Sequence, residues 1–309
     1  MRTRATMKQE KNEYNDLVLL KSLLEDKAFK DSNAELPVIV GRDPAARARV
    51  IDLSLAPNVL IAGATGQGKT TELHSMIVSL LRSRTPDEVK FVFIDPKDYE
   101  LSAYGSLCRE YVAELPGMED RTVLVSAGEI EKALGSLCHE MRRRLAAFRP
   151  EGTSTIWDYN AKAASGARMP YLVVAVDEYS DISAAFGRRL GGAPMAVRTR
   201  ITSHLYELAH DGQPSGIHLV VTTQNPSSEV IDPFIRSTFR TRMAFRTLSD
   251  MDSRIIVDTA GAEHLAGNGD MLFSMGGKVE HLRGAYVSRE DVEAAVREAD
   301  GRCGLYHEE

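Results

Sequence analysis

The 309-residue sequence has few cysteines, no long apolar run and no excess of positive charge. Its three cysteines, Cys108, Cys138 and Cys303, lie far apart and form no CxxC pair, so the sequence supports neither a disulfide framework nor a zinc ribbon. No segment approaches the roughly 18 apolar residues that a membrane helix needs, and the charged start lacks the apolar core of a signal peptide. We therefore expect a soluble protein of the reducing cytoplasm.

The overall charge bears on the kind of partner. The formal net charge is −6 at pH 7, which argues against a broadly basic DNA-binding surface but not against a local basic patch. The eight histidines form no HExxH motif and pair with no neighbouring cysteine, so their spacing indicates no transition-metal site. With 43% hydrophobic residues, the chain can bury one large core, alone or with a small appended subdomain.

Apolar periodicity divides the chain into a lead-in, a main domain and a tail. Residues 1–35 are polar apart from a leucine-rich stretch, which predicts an N-terminal helical adaptor segment packed on the main body. Residues 36–300 alternate apolar strands with helical stretches, and residues 301–309 form a tail. Strands buried on both faces and separated by helices predict an α/β fold with a mostly parallel, doubly wound sheet. The predicted strands are 37–41, 50–53, 58–63, 90–95, 171–178, 217–223 and 242–247, and the predicted helices include 70–83, 128–147 and 196–210.

The segment GATGQGKT, between an apolar strand and a helical stretch, matches the phosphate-binding pattern G-x-x-x-x-G-K-[ST]. Gly63, Gly66 and Gly68 allow a tight backbone turn, so that successive N–H groups face the phosphates of ATP. We expect Lys69 to reach the β- and γ-phosphates and Thr70 to bind Mg²⁺. The predicted ATP-binding residues are Gly63, Ala64, Thr65, Gly66, Gln67, Gly68, Lys69, Thr70 and Thr71.

A second apolar strand, in YLVVAVDEYSD, ends in two carboxylates. In P-loop enzymes a carboxylate at a strand end can hold Mg²⁺, and a glutamate can orient or activate the attacking water. We assign Asp177 to the metal and Glu178 to the general base, with Lys69 as the third catalytic residue of this set. Alone, such a pair could equally be solvated acidic residues, and the P-loop makes the catalytic interpretation the stronger one.

Two further strand ends carry polar side chains. Gln224 follows IHLVVTT, and we predict that it senses the γ-phosphate, with a turn or helix cap as the alternative role for this stretch. FIDPKDYEL places Asp95 and Lys97 at another strand end. We expect these two residues to hold the loop or to contact a neighbouring subunit, not to act in catalysis.

Six motifs occur in the order and spacing of one known family: GATGQGKT, FVFIDPKDYELSAY, YLVVAVDEYSD, SGIHLVVTTQNPS, RMAFRTLSDMDSRIIVD and GAEHLAGNGDML. From about residue 36 to residue 292 the chain resembles the FtsK/SpoIIIE family of DNA-pumping motors. The resemblance implies a RecA-like P-loop NTPase whose subunits form hexameric rings. Such a ring would thread double-stranded DNA through its centre and hydrolyse ATP at the subunit interfaces.

The resemblance also implies that a basic residue of the next subunit stabilises charge on the transferring phosphoryl group. Arg242 and Arg254 are the first candidates, because they lie in segments that match the family's TR-x-AF and DSR motifs. Lys278, in a Gly-Gly-Lys hairpin, ranks below them. For each of the three, a surface ion pair is the alternative role.

The sequence departs from the family pattern where the pore-facing segment is expected. It reads TTQNPS, with Asn225, where the family usually reads TQRPS, and DGQPSGIHL where the family has an RAAGIHL-like approach, so two expected positive charges are missing. The Gly/Arg-rich stretch 185–200, predicted to be a mobile loop, offers other cations that could bind DNA phosphates, with a solvated loop as the alternative. These are Arg188, Arg189, Arg198 and Arg200.

The resemblance thus implies an ATP-driven translocase of double-stranded DNA, expected to act as a ring motor in chromosome or mobile-element DNA transfer and to be open to recruitment by a protein partner. The sequence ends soon after the family motifs, which leaves no room for a DNA-reading winged-helix module and predicts a stand-alone motor core. An alternative is a type VII secretion-like ATPase that moves proteins, although those usually carry several ATPase modules and a membrane anchor. A nucleotide-dependent scaffold is a third reading, which the intact P-loop and acid pair argue against.

Overall fold

The computed structural model describes residues 17–56, 58–116, 118, 121–164, 166–183 and 192–306. Its centre is a ten-stranded sheet in the order β2-β1-β10-β9-β8-β3-β7-β6-β4-β5. The strands are β1 Pro37–Arg42, β2 Ala48–Asp52, β3 Asn58–Ala62, β4 Val89–Ile94, β5 Val123–Leu124, β6 Tyr171–Val176, β7 Ile217–Thr223, β8 Thr241–Phe245, β9 Asp270–Met275 and β10 Lys278–Arg283.

Helices connect these strands and cover the sheet. They are α1 Leu20–Leu24, α2 Lys27–Lys30, α3 Lys69–Ser83, α4 Ala127–Phe148, α5 Ile156–Lys162, α6 Tyr179–Ile182, α7 Met195–Asp211, α8 Pro233–Thr238, α9 Asp250–Val257 and α10 Arg289–Tyr306. The longest one, α4, begins with a capping box, in which Ser126 and Glu129 satisfy each other's backbone N–H groups. No helix in the described ranges is long and apolar enough to cross a lipid bilayer.

The two halves of the sheet differ in strand direction. From β8 through β3, β7, β6 and β4 to β5 all pairings are parallel, which confirms the mostly parallel, doubly wound α/β prediction for this half. From β8 through β9, β10 and β1 to β2 all pairings are antiparallel. Gly276 and Gly277, both at positive φ, make the tight turn of the β9–β10 hairpin.

Both faces of the parallel half are buried. Side chains alternate along each strand, so each strand contributes to the core on either face. On β3, Val59 and Ile61 join the core under α1, α3 and α10, whereas Leu60 and Ala62 join the core under α4 and α7. The same alternation along β4 and β6 fills both cores. A sheet covered on both sides leaves its strand ends as the open edge for ligands.

The lead-in packs on this body through α1 and α2. Leu20, Leu23 and Phe29 are buried, and the N–H of Leu20 donates to the carbonyl of Tyr286 at 2.9 Å. The predicted N-terminal helical and strand lead-in, residues 1–35, thus contains two short helices, whereas its residues 1–16 lie outside the described part of the chain.

The predicted loop 185–200 is wrong for its last six residues, because α7 begins at Met195. Arg198 and Arg200 are therefore helical, and Arg200 pairs with Glu131 of α4. Arg188 and Arg189 lie outside the described residues. Glycine and arginine suggested a loop here, but from residue 195 onward the buried positions of α7 outweigh that signal.

The sequence-based view of the cysteines also needs correction. Cys108 and Cys303 form a disulfide that joins the segment after β4 to α10, across 195 residues of sequence. Without a short spacing motif, only the packing of α10 could reveal this pair. Because α10 runs to Tyr306, the predicted tail 301–309 begins inside a helix.

Candidate active site

The P-loop connects the end of β3 to the start of α3. Gly63, Gly66 and Gly68 all have positive φ, of 145°, 76° and 115°. A Cβ added at Gly63 would lie 2.9 Å from the carbonyl oxygen of Phe245, so both conformation and space require glycine there. The loop therefore presents its backbone N–H groups and the start of a 15-residue helix to one point.

Lys69 is the first residue of α3 and is only 7% exposed. Its Nζ donates a 2.9 Å hydrogen bond to the carbonyl oxygen of Ala64, so the ammonium lies within the curve of the loop. Burial lowers the pKa of Lys69, while the nearby carboxylates of Glu178 and Asp177 oppose that shift. The arrangement is a cation held ready for phosphate oxygens.

Asp177 follows β6 and is buried. Burial raises its pKa to about 6, an effect that nearby Asp95 reinforces and a hydrogen bond from Thr222 opposes. The Thr222 hydroxyl donates to Oδ1 of Asp177 at 2.9 Å. A buried carboxyl with a raised pKa is typical of a functional site, where it awaits a cation or a proton.

Glu178 is held more tightly than a solvated acidic residue would be. Its φ of 57° is in the left-handed region, which is unusual for glutamate and is found more often at functional sites. The backbone N–H of Gln224 donates to Oε2 at 3.0 Å, the Thr223 hydroxyl donates to Oε1 at 2.9 Å, and Ser180 donates to Oε1 as well. The carboxylate is thereby fixed in a single orientation.

Strand order explains why threonines hold the acid pair. β7 lies between β3, which leads into the P-loop, and β6, which leads into Asp177. From the sequence we expected only a γ-phosphate contact by Gln224, or a turn or cap, at the end of β7, and no positioning role for Thr222 and Thr223. Thr222 in fact accepts from the N–H of Glu178 at 2.9 Å while it donates to Asp177. Consecutive polar residues at the end of an otherwise apolar strand are the signal that could have indicated this role.

Gln224 lies at the P-loop, at the edge of the sheet where the sequence placed it. Its Oε1 accepts a 2.6 Å hydrogen bond from the hydroxyl of Thr65. The end of β7 thus contacts the acid pair through its threonines and the phosphate loop through its glutamine. Asp95, which follows β4, accepts hydrogen bonds from the backbone N–H groups of Lys97, Tyr99 and Leu101. It therefore holds the loop after β4, which was the first of the two roles predicted for it.

One cavity of about 890 Å³ brings most of these residues together. It contains the predicted P-loop residues Thr65, Gly66, Gly68, Lys69, Thr70 and Thr71 together with Asp177, Glu178 and Gln224. It continues past the P-loop to the segment after β10 and the start of α10, where Tyr286, Val287 and Arg289 line it. This second wall was not predicted, because its residues belong to no phosphate-binding motif.

Two buried titratable groups in the cavity wall have pKa values shifted by burial. Burial lowers the pKa of His74 to about 4, and its Nδ1 lies 2.9 Å from the hydroxyl of Tyr104. Burial raises the pKa of Glu72, on the first turn of α3, well above its usual range. Such a shift favours the protonated carboxyl, which repels phosphates less than a carboxylate would.

The predicted trans-acting residues are separate from this cavity. Arg242 donates to the carbonyl oxygen of Ile256 at 3.0 Å and pairs with Asp258. Arg254 is 59% exposed at its side chain and only loosely paired with Asp250, at 3.6 Å. Lys278 is exposed at the β9–β10 hairpin. None of the three lines the cavity of its own chain.

The donor set at the mouth of α3 suits a hard cation. Thr70 offers a hydroxyl oxygen, and Asp177 and Glu178 offer carboxylate oxygens. Mg²⁺ prefers such oxygens together with substrate phosphates and several waters. The residues present therefore fit Mg²⁺ bound jointly with a nucleotide.

The model of the FtsK/SpoIIIE family matches residues 19–228. The DNA translocase FtsK of Chlorobaculum tepidum is 38% identical over 279 residues, which cover 90% of this chain and 33% of that protein. The DNA translocase SftA of Bacillus subtilis is 36% identical over 290 residues, which cover 92% of this chain and 28% of that protein. The chain thus spans about a third of the length of these relatives.

Solved structures share the fold. The monomer of the pCW3 conjugation coupling protein TcpA, determined with ATPγS, has a TM-score of 0.76 at 23% identity, over 93% of this chain and 74% of that one. The cytoplasmic domain of the type VII secretion ATPase EccC of Thermomonospora curvata has a TM-score of 0.69 at 20% identity, over 93% of this chain and 35% of that one. At these identities the likeness concerns the fold alone.

Proposed function

The chain belongs to the FtsK/SpoIIIE family, and from that premise we propose that it is an ATP-driven translocase of double-stranded DNA that works as a homo-oligomeric, hexameric ring. The observation that carries this proposal is the network around the acid pair. Thr222, Thr223 and Gln224 fix Asp177 and Glu178 at the cavity of the P-loop. A nucleotide-binding scaffold would not need so rigid a general base.

The proposed chemistry assigns one task to each group. Backbone N–H groups of residues 63–71 and the ammonium of Lys69 bind the phosphates of ATP, for which Lys69 leaves the carbonyl of Ala64. Thr70 and Asp177 would hold Mg²⁺, which supplies charge neutralisation on the phosphate oxygens when it is bound. Glu178 orients the attacking water and accepts its proton, and Gln224 contacts the γ-phosphate from the end of β7.

The second wall of the cavity suits the nucleoside part of ATP. Tyr286 is 43% exposed there, and Val287 and the neutral His74 add apolar and uncharged polar surface. A base could stack on the tyrosine ring, on the same wall as Arg289. The cavity therefore accommodates phosphates at one end and an uncharged heterocycle at the other.

For completion of the site in trans, the exposed Arg254 is a better candidate than Arg242. The side chain of Arg242 is only 11% exposed, and its guanidinium is already occupied by Asp258 and the carbonyl of Ile256, so its release would break both contacts. Arg254 can extend toward a neighbouring subunit at little cost. In the proposed division of the chain, residues 1–35 are an adaptor that a recruiting protein could bind, 36–300 are the motor and 301–309 are a tail.

The test is phosphate release by the purified chain with and without double-stranded DNA, at low and at moderate salt. DNA should stimulate turnover several-fold, and the stimulation should weaken as salt rises, because phosphate contacts release counterions. The Lys69→Ala variant is the control for contaminating ATPases. Turnover that is indifferent to DNA would instead favour a partner-activated ATPase of the type VII secretion class, and the absence of turnover would contradict both.

A further inference from the structure

Three potential metal ligands meet between α4 and α7, on the face of the sheet opposite α3. They are the thiol of Cys138 on α4 and the side chains of His204 and Glu207 on α7. One ligand atom from each lies within 4.8 Å of the other two. Cys138 and His204 are 66 positions apart in the sequence, which explains why residue spacing did not indicate such a site.

The geometry is close to what a tetrahedral ion requires. The Sγ of Cys138 lies 3.7 Å from Nδ1 of His204. A sulfur and an imidazole nitrogen that share one Zn²⁺ would be about 3.6 Å apart, given the usual bond lengths and a tetrahedral angle. A carboxylate oxygen of Glu207 lies within 4.8 Å of both atoms, so a small shift of this partly exposed side chain would bring it to the same ion.

Neighbouring residues shape and orient this cluster. Gly135 lies one turn before Cys138, and a Cβ there would lie 3.4 Å from Nε2 of His204, an ordinary van der Waals distance, so the ring packs against this part of α4. Arg142 donates twice to Oε1 of Glu207, at 3.0 and 2.6 Å. It thereby holds the carboxylate in place and leaves Oε2 for a metal.

The three ligand residues of the cluster differ in how deeply they are buried. Cys138 is 1% exposed, whereas His204 and Glu207 are partly exposed and open a path from solvent. Burial raises the pKa of the thiol to about 12, and the nearby Glu207 carboxylate adds to this, so the metal-free thiol is protonated. In the other cluster of this kind among the described residues, Cys108 and Cys303 are already joined in a disulfide and are not free as ligands.

We propose that Cys138, His204 and Glu207 bind a divalent transition metal of the Zn²⁺ class, with water as the fourth ligand. A thiolate, an imidazole and a carboxylate are the ligand types that this class prefers. On binding, the thiol proton passes to the solvent and sulfur donates an electron pair to the metal. The bound ion cross-links α4 to α7 and is independent of the nucleotide cavity.

The experiment is a titration of the untagged full chain with Co²⁺, a spectroscopic probe for Zn²⁺ sites. The expected result is one equivalent of bound Co²⁺, with visible bands of tetrahedral intensity and a near-ultraviolet thiolate-to-metal band, all displaced by Zn²⁺. Cys138→Ser should abolish the near-ultraviolet band, and His204→Ala should weaken binding by about tenfold or more. His139→Ala removes an exposed histidine next to Cys138 and is the matched control, with unchanged binding expected.

Two outcomes would overturn the proposal. One is the absence of a thiolate band in the wild-type chain, and the other is a band that persists in Cys138→Ser. Far-ultraviolet circular dichroism checks that each variant is folded, and serine nearly matches the size of cysteine. Because Co²⁺ binding is read without ATP or DNA, failure here would leave the proposed motor function untouched.

Discussion

The parallel and antiparallel halves of the sheet contribute to the candidate site in different ways. In the parallel half, β3, β6 and β7 end at the same edge, and side chains there carry the chemistry: Lys69, Asp177, Glu178 and Gln224. In the antiparallel half the contribution comes from the backbone. The N–H of Gly269 donates to the carbonyl of Gln67 at 3.0 Å, and the N–H of Gly284 donates to that of Gly269 at 2.7 Å.

This difference predicts which substitutions should change catalysis and which should change stability. Side chains at parallel strand ends are positioned by a covered sheet, so their loss should change turnover and leave the fold intact. The antiparallel half supports the P-loop through close backbone contacts, so added atoms there should lower stability. Three substitutions, in order of decreasing effect, test this contrast.

Lys69→Ala in the parallel half should have the largest effect. Loss of the ammonium removes the main positive charge on the β- and γ-phosphates, so we expect ATP turnover to fall by about 10³-fold or more. Thermal unfolding should change little, because the lost hydrogen bond goes to a single carbonyl, that of Ala64. A steady-state phosphate assay and a melting curve measure the two effects, and unchanged turnover would remove the site assignment.

Gly41→Ala in the antiparallel half should lower stability without a direct effect on chemistry. Gly41 has a φ of 125°, and an added Cβ would lie 2.2 Å from the carbonyl oxygen of Arg283 on β10. We expect the free energy of unfolding to fall by about 2–4 kcal/mol, from backbone strain and collision together. Chemical denaturation measures it.

Gly152→Ala is the matched control for Gly41→Ala, because Gly152 also has positive φ, 62°, but nothing lies within 4 Å of its added Cβ. It should cost only about 1 kcal/mol, the strain of the left-handed conformation. Equal losses in the two variants would show that strain alone, not the β1–β10 contact, sets the cost.

Thr222→Val should lower turnover less than Lys69→Ala does and stability less than Gly41→Ala does. The hydroxyl both donates to Asp177 and accepts from the N–H of Glu178, and valine keeps the volume while it removes both bonds. We expect turnover to fall by about tenfold and stability by about 1–3 kcal/mol. Thr155→Val, which removes the cap of α5, should cost about 1 kcal/mol and leave turnover unchanged. Equal turnover in both variants would argue against positioning by Thr222.

The sequence predicted the parallel half better than the rest for a physical reason. Phosphate binding and water activation need particular side chains at fixed spacing, so Gly63, Lys69 and Asp177 can be recognised from local sequence. The β9–β10 contacts with the P-loop are made by backbone atoms. Residue types do not predict such contacts, except where a glycine indicates a close approach. The disulfide of Cys108 and the cluster around Cys138 arise from helix packing over long separations, which periodicity cannot reveal.

The most direct test of DNA translocation is displacement of a third strand from a DNA triplex placed on a double-stranded track. The wild-type chain should release the third strand only when ATP is present. Glu178→Gln, which should bind ATP and stall hydrolysis, should release none. Release by Glu178→Gln at the wild-type rate, or ATP hydrolysis by the wild type on the track without any release, would contradict the proposed motor.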